Sequence, residues 1–73
     1  SENMQINDIV MFKLQVGSWK GKTGIVIEVG DFGDGEYERG VYGNPLDLIV
    51  MWEDGKIVPC ASKDLVRITE DEQ

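Results

Sequence analysis

Residues 17–29, Gly-Ser-Trp-Lys-Gly-Lys-Thr-Gly-Ile-Val-Ile-Glu-Val, constrain this chain more than any other stretch. A polar loop broken by Gly17 and Gly21 leads straight into a β-branched run, with Gly24 at the junction. Glycine at such a point marks a bulge or a close approach of other backbone. A second strand-turn-strand pattern follows at Asp47–Pro59. Leu46, Leu48, Val50 and Trp52 fall on one face at period 2, and Asp47, Ile49, Met51 and Glu53 fall on the other. These patterns predict short, sharply turned strands and a small all-β barrel.

The remaining elements are read the same way. Residues 8–14 are dense in β-formers and predict the first strand. Residues 23–29 are the second and residues 46–52 the third. Glu53-Asp54-Gly55-Lys56 predicts a hairpin of type I′ geometry, since Asp-Gly tolerates its two positive φ angles. Residues 56–58 return as the fourth strand, stopped by Pro59. Residues 61–64 suit one 3₁₀ turn capped by Ser62. Residues 65–68 are the fifth strand. Between strands two and three, residues 30–45 form a long Gly-rich loop or β-ribbon, where Tyr37 and Tyr42 could pair across a turn. The expected organisation is a leading segment over 1–6, disordered or an expression remnant, a barrel over 7–68, and an acidic tail over 69–73.

Nine glycines in 73 residues are close to twice the usual share of about 7%, which suits tight turns between short strands. The single cysteine, Cys60, rules out an intrachain disulfide and a Cys-based zinc site. It reads as a small buried apolar residue in a reducing, cytoplasmic setting. The absence of histidine removes the commonest general base and metal ligand. No cofactor and no catalytic residue is assigned, and the chain is read as a non-enzyme. The formal net charge of −7 opposes binding to phosphate backbones.

The layout of strand, loop, strand, long loop, hairpin, 3₁₀ turn and strand is that of an SH3-like barrel. Trp19-Lys-Gly-Lys-Thr-Gly-Ile-Val-Ile-Glu-Val29 resembles the KOW-type motif of ribosomal proteins and transcription elongation factors. Val50-Met-Trp-Glu-Asp-Gly-Lys56 and Cys60-Ala-Ser-Lys-Asp-Leu-Val-Arg-Ile68 resemble small stand-alone SH3-like proteins of tailed, often marine, bacteriophages. That resemblance implies a protein-interaction or structural module, in the cytoplasm or on a virion. The KOW likeness implies a nucleic-acid-associated factor as the alternative, although KOW domains that bind RNA are usually basic and this chain is acidic.

Three groups of residues are candidates for contact with a partner. Trp19, Lys20 and Lys22 form a basic-aromatic cluster of the kind that holds single-stranded nucleic acid, though two lysines release few counterions. The structural reading of the same residues is a tryptophan capping the barrel end while the lysines balance carboxylates. Phe32, Tyr37 and Tyr42 punctuate the long loop. Its Asp31, Asp34, Glu36 and Glu38 invite a calcium reading, but the EF-hand register fails with Phe32 at a ligand position, and a solvated acidic loop is expected. Ile49 and Met51 lie opposite the apolar face of strand three. Since a small barrel has one interior, they predict a covering loop, a partner protein or a weak homodimer.

Overall fold

The computed structural model describes residues 4–33 and 43–68. Five strands, β1 (Ile9–Phe12), β2 (Gly24–Val29), β3 (Leu48–Trp52), β4 (Ile57–Cys60) and β5 (Leu65–Ile68), form one antiparallel sheet in the order β4-β3-β2-β1-β5. No α-helix occurs among the described residues. Among the described residues, three-residue 3₁₀ turns lie at Gly17–Trp19 and at Ser62–Asp64. The five-stranded all-β expectation holds.

Alternation decides what lies inside. Val10, Val26, Leu48, Val50, Trp52, Cys60 and Leu65 form the buried cluster, with Phe12, Trp19 and Val58 packed against it. Leu48, Val50 and Trp52 are buried at period 2, as the pattern of β3 requires. Met4 joins the same cluster at 7% exposure, so the folded unit already includes a residue that the sequence reading left in the leading segment.

Gly24 is in register with both Val10 and Trp52. A Cβ there would lie 2.6 Å from Val50 Cγ1, 2.8 Å from Trp52 Cε3 and 3.0 Å from the Met51 carbonyl oxygen. Of the two readings of this glycine, the structure takes close approach. The register shift falls further along, between Val26 and Glu28, where Ile27 is the extra residue.

Three local expectations need correction. The hairpin is not type I′, because Asp54 lacks the positive φ that such a turn demands, while Gly55 has φ 90°. The Gly55 N–H donates to the Trp52 carbonyl at 2.8 Å and the Trp52 N–H to the Lys56 carbonyl at 2.8 Å. These bonds define a three-residue loop closed by a glycine in the left-handed region. Pro59 does not end the fourth strand but lies within it. Ser62 does not cap its turn. The Asp47 carboxylate does so from the approach to β3, accepting from the Ser62 N–H and the Ser62 hydroxyl at 2.7 Å each.

The ladder is also not closed: β4 and β5 are edges and do not pair with each other. Lys56 bonds back to β3, so by alternation the backbone groups of Ile57 and Pro59 point outward. Pro59 has no N–H to offer there. On the other edge the Leu65 N–H is already given to the Ser62 carbonyl.

The long connection continues the β2–β3 hairpin outward. Gly30 N–H donates to the Asp47 carbonyl at 3.0 Å, Phe32 N–H to Leu46 at 2.8 Å and Leu46 N–H to Gly33 at 2.6 Å. This is the stem of a β-ribbon. The Tyr37–Tyr42 pairing lies outside the described residues, as do Asp34, Glu36 and Glu38.

Candidate functional site

The basic-aromatic cluster is assembled by the loop between β1 and β2. Gln15 holds that loop: its amide nitrogen donates to the Phe12 carbonyl at 2.7 Å, and its amide oxygen accepts the Gly21 N–H at 2.8 Å. The loop folds back and lays Trp19 on the barrel end. Trp19 packs edge-on against Phe12 at 4.8 Å and against Trp52 at 5.2 Å, while Phe12 and Trp52 stack at 5.0 Å with planes 8° apart. Such aromatic pairs add about 0.5–1.5 kcal/mol beyond their buried area.

The Lys22 ammonium lies 5.9 Å from the Trp19 ring centroid and 3.3 Å from an Asp54 carboxylate oxygen. The Asp54 carboxyl is held below its usual value, first by the Lys56 backbone N–H and then by Lys22. Lys20 alone of the three stands exposed without such a partner among the described residues. Within the cluster, then, Trp19 packs on Phe12 and Trp52 and Lys22 pairs with Asp54, while Lys20 remains exposed.

Phe32 is half-buried, its ring turned over Gly30 in the ribbon stem, with Cζ 3.1 Å from where a Gly30 Cβ would stand. Asp31 is exposed, and its carboxylate accepts the Gly33 N–H at 3.3 Å. No group of three or more His, Cys, Asp or Glu among the described residues is placed to hold a metal ion. No helix among them is long and apolar enough to cross a membrane.

Cys60 is buried, and its thiol donates to the Val58 carbonyl at 3.5 Å. Burial pushes the thiol up to about 11, and the Asp64 carboxylate adds to the rise. The Trp52 indole N–H acts the other way, without completing a hydrogen bond, and Nε1 is buried without a partner. A thiol so protonated is a poor nucleophile.

Ile49 and Met51 lie on the outer face of β3, as expected. Ile49 is half-buried and Met51 is 40% exposed. Register shows that they belong to something larger. Residues directly opposite in antiparallel strands share a face. Met51 is opposite Ile57 on one side and Ile25 on the other; Ile25 is opposite Ile9, and Ile9 is opposite Ile68. Ile57, Met51, Ile25, Ile9 and Ile68 thus form one apolar row across all five strands. Ile49 and Pro59 flank it on β3 and β4, and the opposed pair Met11 and Val66 flanks it on β1 and β5. Ile57 is 58% exposed and Val66 39%.

Sequence reasoning found Ile49 and Met51 and missed the rest of the row. The signal was available: Ile9-Val-Met-Phe12 is apolar at both parities, as β3 is. Applied there, the one-interior argument would have placed Ile9 and Met11 outside as well. No protein-family model, curated protein or solved structure matches this chain.

Proposed function

We propose that this chain is a non-enzymatic protein-docking module, an SH3-like barrel of the kind its sequence resemblance places among tailed bacteriophages. Its working surface is the outer face of the sheet. The strand order β4-β3-β2-β1-β5 supports the SH3-like reading. The observation that carries the docking reading is the apolar row, unbroken by a polar residue from Ile57 to Ile68. Met51 and Ile57 are exposed and Ile9, Ile25 and Ile68 half-buried; the largest apolar patch of a small protein, a few hundred Å², is often a contact surface.

The test compares capture from source lysate by the parent and by a Met51→Gln, Ile57→Gln variant that leaves the charge and core untouched. Proteins retained by the parent should be lost from a variant with an unchanged melting temperature. Identical sets retained by both would refute the docking reading. A KOW-like nucleic-acid role is the second reading, carried by exposed Lys20 beside half-exposed Trp19. Fluorescence anisotropy with labelled single-stranded RNA tests it. Binding that weakens steeply with salt and is lost on Lys20→Glu would favour it.

A further inference from the structure

We infer that the outer face docks a short basic segment of another protein, placing apolar side chains over Ile25, Met51 and Ile57 and cationic side chains against Glu28 and Glu53. This inference rests on the docking reading above and names the chemistry of its partner. Two observations, area and charge, select that partner.

Strands spaced about 4.8 Å apart make a five-strand row about 19 Å long, measured along the curved sheet. With the flanking residues the apolar patch is on the order of 300 Å². A stable interface between two globular proteins takes about 800 Å² from each, of which about 57%, or about 450 Å², is apolar. A second copy of this chain meeting the same face would bring less apolar surface than that. A peptide segment fits the dimension, since about 19 Å is spanned by about six extended residues or about 13 helical ones.

Charge points the same way. Glu28 is opposite Ile49 in the register, and Glu53 follows the end of β3, where one oxygen of its carboxylate accepts the Thr23 N–H at 2.7 Å and the other is left for a partner. Both are exposed. The apolar residues of β2, β3 and β4 are thus bracketed by carboxylates along the strand direction. Around that bracket the whole chain carries a formal net charge of −7. A second copy brings the same carboxylates and the same net charge to the contact, while a basic segment brings their complement. Complementary charge of this kind speeds encounter and suppresses wrong partners more than it adds affinity.

Two synthetic probes separate these terms: a 12-residue amphipathic peptide of leucine and lysine, and its counterpart with glutamate for lysine. Each is titrated into the isotope-labelled full chain and followed by NMR. The Leu/Lys peptide should shift signals of Ile9, Ile25, Met51, Ile57, Glu28 and Glu53, and the Leu/Glu peptide should shift none. Binding of the Leu/Lys peptide should fall about tenfold in the Met51→Gln, Ile57→Gln variant and again in Glu28→Lys. Equal binding of the two peptides at this face would overturn the charge selection while leaving the docking reading intact. Leu/Lys binding indifferent to the neutral double variant would reduce the interaction to general attraction and overturn the inference. Concentration-dependent shifts of the same residues without peptide, with a dimer in light scattering, would give the face to a second copy and overturn it as well. Failure of the docking reading itself is read separately, in the lysate comparison.

Discussion

Gly24→Ala is the sharpest perturbation the structure offers. The added Cβ would stand 2.6 Å from Val50 Cγ1, 2.8 Å from Trp52 Cε3 and 3.0 Å from the Met51 carbonyl oxygen. Carbon atoms in contact prefer about 3.5–4.0 Å, so both side chains are overlapped by about an ångström. Neither can swing away, because Val50 is 0% and Trp52 1% exposed. The third contact is backbone and moves only with the strand. Overpacking of this kind costs about 1–3 kcal/mol, here toward the upper end. Replacing glycine also restricts the unfolded chain, which offsets about 0.4–1 kcal/mol. The net loss is about 2 kcal/mol, and in a domain of this size each kcal/mol lowers the melting temperature by about 4–8 °C. A thermal melt should therefore fall by about 8–16 °C, with the protein still folded at room temperature. A cycle with Val50→Ala adds the specific check: the double variant should be less destabilised than the sum of the singles by about 0.5–1 kcal/mol or more. A melt within 2–3 °C of the parent, or strict additivity, would show that Trp52 and Val50 do not crowd Gly24.

Three further outcomes are expected. Gly55→Val should lower stability by about 1–2 kcal/mol through backbone strain alone, since Gly55 has φ 90° and open space around it; a melt matching that of Lys56→Val would refute the turn assignment. Asp47→Ala strips the Ser62 N–H and hydroxyl of their acceptor and should cost about 1–2 kcal/mol; Asp47→Asn should recover part of it in a denaturant titration. For Cys60, the folded thiol is raised from 9.0 to about 11, so the folded state favours the protonated form. Its contribution is fully present below pH 9.0 and is lost as pH rises toward 11, at up to about 1.4 kcal/mol per pH unit. Cys60→Ala should flatten the alkaline limb of the stability curve, and native-state thiol labelling at pH 8 should be far slower than in denaturant.

Sequence alone settled what depends on near neighbours. Period 2 in β3 placed Leu48, Val50 and Trp52 inside and Ile49 and Met51 outside, because adjacent side chains of a strand leave on opposite faces. Gly55 was legible as a left-handed position, but whether Asp54 shares that conformation depends on how the two strands cross, so the turn type was not. Trp19 was legible as aromatic beside lysine. Capping the barrel end was one of its two readings; its packing on Phe12 and Trp52 in particular depends on how the loop folds back, which no local pattern encodes. Asp47 capping Ser62, a contact made across 15 residues, and the open edge left by Pro59 are of the same kind. The outer row shows the division most plainly. Ile9, Ile25, Met51, Ile57 and Ile68 are scattered along the chain, and all but Met51 could face either way until their strands are paired. The registers of four strand pairs bring them into one line, and register is set by the buried face as a whole: a one-residue slip in any pair would send Val10, Val26 or Val50 to solvent. The tertiary structure therefore chose the outer surface as a consequence of filling the inner one.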